Sequence, residues 1–110
     1  MASSLVLPLG VAVVRGNSMR PTLQDGDVVL VRYGGGVRPG RLVVVRLGRG
    51  VTAVKRASAR DADGWWVESD NPSAVGAVDS WKLRRPVPLK DVVGVVLGRV
   101  PRRGRRARRT

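Results

Sequence analysis

The chain has 110 residues, 43% of them hydrophobic, with 21 Lys plus Arg against 8 Asp plus Glu, a formal net charge of +13, and neither His nor Cys. Without His there is no Ser-His-Asp triad, Cys-His dyad or imidazole metal ligand; without Cys there is no disulfide framework, thiolate zinc site, iron-sulfur cluster or cysteine nucleophile, and composition is silent on redox compartment. Any catalysis must use Ser, Thr, Lys or carboxylates, in a single domain long enough to bury roughly two-thirds of its unfolded surface.

In chain order, the first apolar stretch, Leu5 to Val14, is ten residues broken by Pro8 and Gly10. It falls short of the roughly twenty needed to span a bilayer, and it lacks the basic flank of an export signal. We therefore expect a soluble, unexported, cytoplasmic protein. Strand-like runs rich in Val and bounded by Gly, Pro and Asp then follow at Val11 to Gly16, Asp27 to Tyr33, Arg41 to Leu47, Val51 to Ala57, Gly64 to Glu68 and Asp91 to Val100. Arg38-Pro39-Gly40-Arg41 predicts a turn, and Leu47-Gly48-Arg49-Gly50-Val51 a hairpin connection. Val43-Val44-Val45 is apolar on both faces, so that strand is expected to be covered on both sides. Helical periodicity is nowhere sustained. The prediction is a mostly β fold of about six strands with one short helical turn at Asn17 to Leu23, where Ser18 precedes Pro21 by three positions and suits an N-cap.

The charge is unevenly placed. From Gly98 to Thr110 the chain carries seven Arg and no acidic residue, leaving the body near +6. Residues 1–98 are read as one domain and 99–110 as a disordered basic tail, because such a run cannot bury a core. The tail is either a solvated solubilising segment or a contact for the phosphates of nucleic acid or anionic lipid.

Two residues stand out chemically. A serine at a helical turn projects beside unpaired backbone N–H groups that can hold an oxyanion, so Ser18 is either a cap or a nucleophile. With His absent, a serine's base must be a carboxylate or a neutral lysine. Only three of the cations are Lys, at positions 55, 82 and 90, and arginine cannot be deprotonated in a protein. Strand alternation places Lys55 with Val51, Ala53 and Ala57 on a small apolar face. Burial there lowers an amine's pKa and makes a neutral base accessible; the alternative is a snorkelling lysine with its ammonium in water. Glu68-Ser69-Asp70-Asn71-Pro72 reads as a turn whose Asp and Asn side chains hold its own backbone. Trp65 and Trp66 point to opposite faces of a strand, one into the core and the other toward a groove or partner.

Taken together, Gly16-Asn17-Ser18-Met19-Arg20-Pro21-Thr22-Leu23, Gly26-Asp27-Val28-Val29-Leu30-Val31, Val54-Lys55-Arg56, Ser69-Asp70-Asn71-Pro72 and Asp79-Ser80 resemble the ordered motif boxes of type I signal peptidases. All but the Asp-Ser pair occur in the related LexA-like self-cleaving repressors. The resemblance covers about Val13 to Gly98 and implies a coiled β-sheet fold carrying a serine-lysine dyad. It implies Ser18 as nucleophile and Lys55 as general base, and the Ser18 N–H as an oxyanion donor beside Asn17. Met19 and Pro21 would form the site floor, and Asp70, Asn71, Asp79 and Ser80 the support. It further implies an extended substrate strand with small residues before the cut, and no cofactor or metal. The last box departs from the usual Ser-x-Asp-Ser-Arg. Ala77 replaces a serine that orients the lysine, with Ser80 or Ser73 expected to compensate. Trp81 replaces an arginine that pairs with acidic residues, and the spacing from Asn71 to Asp79 is slightly long. Among such proteins, the chain looks similar to the small anchorless ones that are maturation proteases of nickel-type superoxide dismutase, which implies a precursor protein as substrate and removal of its N-terminal propeptide. The alternatives are a LexA-like self-cleaving or regulatory module, disfavoured because no DNA-binding helices precede Ser18, and a polyanion-binding β-domain acting through its tail.

Overall fold

The computed structural model describes residues 8–34, 36–48 and 50–101. Six strands, β1 (Leu9–Val13), β2 (Val28–Tyr33), β3 (Leu42–Arg46), β4 (Thr52–Asp61), β5 (Gly64–Glu68) and β6 (Val92–Arg99), form one sheet in the order β1-β2-β6-β3-β4-β5. Every neighbouring pair is antiparallel. The mostly β architecture expected from the sequence is the one observed.

The Val triplet of β3 sits at the centre, and its alternation divides the interior in two. Val44 joins Val14, Met19, Leu23, Val29, Val31, Val54 and Val96 on one side. Val43 and Val45 join Ala57, Trp65, Val67 and Val87 on the other. All three are buried, as their two-faced apolarity predicts. Gly94 permits β6 to lie this close, since a Cβ there would strike Val31 and the Arg32 carbonyl. Gly64 does the same at the far edge: a Cβ would collide with the Val87 carbonyl, and Val87 covers β5 by exchanging two backbone hydrogen bonds with Trp65.

The helix lies elsewhere than expected. Residues 17–23 form hydrogen-bonded turns (Arg20 N–H to Asn17 O, 3.2 Å; Leu23 N–H to Met19 O, 2.9 Å) and no helix, because Pro21 lacks a donor and biases Arg20 away from the α region. Ser18 therefore caps nothing. The short helix is α1 (Ser80–Leu83), and its cap is Asp79, whose carboxylate accepts from Lys82 N–H at 2.9 Å. Strand β4 runs four residues past the predicted Ala57, and β1 spans Leu9–Val13 rather than continuing to Gly16. Arg99, assigned to the tail, ends β6 opposite Val29, and Val100 N–H donates to Val28 O. Residues 102–110 lie outside the described residues, as does Arg49 in the predicted hairpin, whose flanks Leu47 and Val51 are joined by a 2.8 Å backbone bond. Among the described residues no helix is long and apolar enough to cross a membrane.

Candidate active site

The chain between β1 and β2 leaves the sheet as a loop closed at its base by Val14 and Asp27 (N–H to O, 2.8 Å) and by Gly26 and Val14 (2.7 Å). Met19, 1% exposed, anchors this loop in the first core cluster. Ser18, the preceding residue, is half-buried and faces a groove of about 480 Å³. Residues 12–15 of the edge strand and its extension form one wall, and residues 51–55 the other.

Lys55 enters the same groove from β4. It is 3% exposed, so it does not snorkel. Its Nζ lies 3.3 Å from Ser18 Oγ and 2.8 Å from Ser69 Oγ, donating to both as an ammonium. Burial holds its pKa below the ordinary lysine value; nearby Asp79 opposes that shift and Lys82 adds to it. Neither ion pair among the described residues includes Lys55, so loss of its proton leaves no carboxylate unpartnered.

Ser69, Asp70 and Asn71 grip both halves of the site. Continuing the β4–β5 register beyond Arg56 and Glu68 brings Ser69 opposite Lys55. Asp70 takes a two-pronged bond from Arg56 (2.8 and 2.6 Å), accepts from Thr22 Oγ1 at 2.6 Å, and offers its N–H to Met19 Sδ at 3.4 Å. Those partners hold its carboxyl below the usual carboxylate range, chiefly through the Arg56 bond. Asn71 donates its backbone N–H to Ser18 O (2.7 Å) and its side-chain amide to Asn17 O (3.0 Å). Its side chain thus reaches the loop that carries Ser18 rather than its own turn.

The remaining predicted residues are not all at the groove. Ser18, Met19 and Lys55 line it, whereas Pro21 is exposed and outside the lining, and Asn17 meets the site through its carbonyl. Neither serine expected to compensate for Ala77 reaches the lysine: Ser80 Oγ accepts from Val67 N–H at 2.9 Å, and Ser73 is exposed. The second hydroxyl on Lys55 is that of Ser69. The extra length between Asn71 and Asp79 is taken up as a loop of turns, whose ends Lys82 Nζ ties by donating to Pro72 O and Ala77 O (2.9 and 2.8 Å). Trp81 donates its indole N–H to Glu68 at 2.8 Å, so it still engages an acidic residue. Trp65 is core; Trp66 packs against Trp81 (centroids 4.6 Å apart, rings tilted by 36°) and is not among the residues lining the Ser18 groove.

Sequence reading missed Ser69 and Lys82 as participants. Ser69 sits inside a quoted motif, but its role rests on a pairing across fourteen positions that no local pattern encodes.

This fold, with a serine and a buried lysine at one groove, is that of the LexA and signal peptidase-like superfamily. Residues 7–80 match the model of the Peptidase S24-like family, and the chain belongs to that family. No curated protein matches the chain.

Proposed function

We propose that the protein is a serine endopeptidase in which Ser18 is the nucleophile and Lys55 the general base. The observation that carries this reading is the 3.3 Å approach of Lys55 Nζ to Ser18 Oγ inside a groove, with the amine buried and free of any carboxylate pair among the described residues. Neutral Lys55 accepts the Ser18 proton as Oγ attacks the scissile carbonyl carbon, then delivers it to the leaving amine; water repeats the sequence to release the acyl group. Among the described residues the Ser18 N–H has no hydrogen-bond partner, which supports its use for the oxyanion.

The groove suits an extended chain. On β4, strand β5 pairs with the Arg56–Asp61 half, so among the described residues the outer edge of residues 52–55 faces the groove, opposite the edge strand β1. The β3–β4 ladder has Ala57 N–H bonded to Arg41 O and Leu47 N–H to Val51 O. Alternation then turns the N–H and C=O groups of Thr52 and Val54 outward, where a substrate strand can pair. Ala12, Ala53 and Val14 on the walls favour small apolar side chains before the cut.

The substrate we propose is a precursor protein that loses an N-terminal propeptide. The resemblance to maturation proteases makes the nickel-type superoxide dismutase precursor the first to test. Incubating that precursor with the enzyme should yield one new N-terminus in a Ser18-dependent manner. Ser18→Ala and Lys55→Ala should each abolish cleavage, and Lys55→Arg should be as damaging, since it keeps the charge and loses the base. Full activity of Lys55→Arg would refute the base assignment. Because the S24-like family also includes self-cleaving repressors, cleavage of the chain itself with no activity on separate polypeptides would replace this reading with an intramolecular one.

A further inference from the structure

A lysine base must present its lone pair to the serine, and a flexible four-carbon side chain does not do this unaided. Lys55 Nζ has three hydrogen positions when charged. Two are directed at hydroxyls, and the shorter bond, 2.8 Å against 3.3 Å, goes to Ser69 rather than to Ser18. Ser69 is 6% exposed and lies outside the groove lining, whereas Ser18 lines it. Only one of the two hydroxyls can therefore meet a substrate, and the other has only the amine to serve.

The residues after Ser69 fix where that hydroxyl sits. Asp70 is locked to Arg56, the neighbour of Lys55, and Asn71 holds the carbonyls of Asn17 and Ser18. One tripeptide thus spans from the base's strand to the nucleophile's loop.

We propose that Ser69 is a positioning residue that holds the Lys55 amine against Ser18, within a Ser69–Asn71 clamp that sets the separation of the dyad. The inference rests on the peptidase reading. When Lys55 is neutral, one N–H stays on Ser69 Oγ and the lone pair faces the Ser18 O–H. Without Ser69, the amine swings within its pocket and proton transfer is lost while substrate binding persists. The other charged groups acting on Lys55 are Asp79 and Lys82, both from the segment at α1. They set the background charge but supply no hydrogen bond to Nζ.

The test uses Ser69→Ala, together with Ser69→Cys, which keeps the volume but weakens the acceptor, and Ser69→Thr, which restores a hydroxyl. Kinetics are read on an extended peptide with small residues before the cut, and Lys55 is titrated by NMR of the three lysine side chains. Ser69→Ala and Ser69→Cys should lower kcat roughly 10- to 100-fold with KM unchanged, and Ser69→Thr should recover part of the loss. In both weakened variants the Lys55 titration and the alkaline rise of the rate profile should move to lower pH, because the charged amine has lost an acceptor. A merely structural serine would lower thermal stability and leave that titration in place. Wild-type kcat in a folded Ser69→Ala or Ser69→Cys variant overturns the proposal. If instead the wild type and Ser18→Ala are equally inert, the peptidase reading fails, while the NMR titration still reports whether Ser69 holds the amine.

Discussion

Burial of Lys55 carries a cost. An amine 3% exposed, whose hydrogen-bond partners among the described residues are two hydroxyls, is held more weakly when charged than it is in water, so its pKa in the folded protein lies below the unfolded value. Between those two values the unfolded chain binds more protons, so stability rises as pH increases through that window. Replacing Lys55 with Met should therefore abolish cleavage while stabilising the protein by about 1 kcal/mol at neutral pH. The gain should shrink as pH climbs toward the ordinary lysine value. Thermal melts of both proteins across pH measure this directly; a destabilised, folded Lys55→Met variant would contradict the penalty. The same lowered pKa predicts that cleavage rises with pH below the ordinary lysine range.

At the level of elements, the groove is made where pairing stops. Strand β4 is long enough to pair β3 along one side and β5 along half of the other, leaving residues 52–55 unmatched. Thr52 is exposed at the start of β4 with its N–H turned to the groove, so Thr52→Pro removes no bond to β3. It should leave the melting temperature nearly unchanged and raise KM about tenfold for an extended peptide, the equivalent of one lost backbone hydrogen bond. An unchanged KM would place the substrate elsewhere. The Asp70 hub joins β4 to the loop that carries Ser18, and its lowered pKa fixes the sign of its pH dependence. The stabilisation is complete above the unfolded carboxyl value and disappears as pH falls through the folded one. Asp70→Asn should cost about 1 kcal/mol at neutral pH, discounted because the Arg56 side chain is 34% exposed, and the deficit should vanish in acid. Urea unfolding at the two pH values tests it.

Across the whole molecule, the densest run of charge lies apart from the Ser18–Lys55 pair. The six arginines after Pro101 account for nearly half of the +13, and none lies in residues 7–80 matched by the family model. Deleting 102–110 takes the formal charge to +7. It should leave the melting temperature and peptide cleavage unaltered while flattening the salt dependence of any nucleic-acid or anionic-vesicle binding. Loss of cleavage on that deletion would tie the tail to the substrate.

Much of this was legible in the residues. Turn punctuation and Val-rich runs gave six strands, and Val43-Val44-Val45 announced a strand covered on both sides, because side-chain alternation and solvent avoidance are local rules. The absence of His left lysine as a base for serine, and the motif boxes pointed to Ser18 and Lys55. What local rules could not decide were contacts across the chain. Whether Lys55 reached water or was buried depended on the loop at Ser18 and the segment at Ser69, which are 37 and 14 positions away. Helix placement failed for a related reason: a cap forms only where the following backbone supplies the N–H that the side chain accepts, which happens at Asp79 and not at the expected Ser18. Residue types set the available chemistry, because His, Cys and free amines are present or absent in the chain itself. Desolvation and hydrogen-bond distance arise only when distant segments meet, and so the folded sheet alone decided that Lys55 is buried and that Ser69 is its second partner.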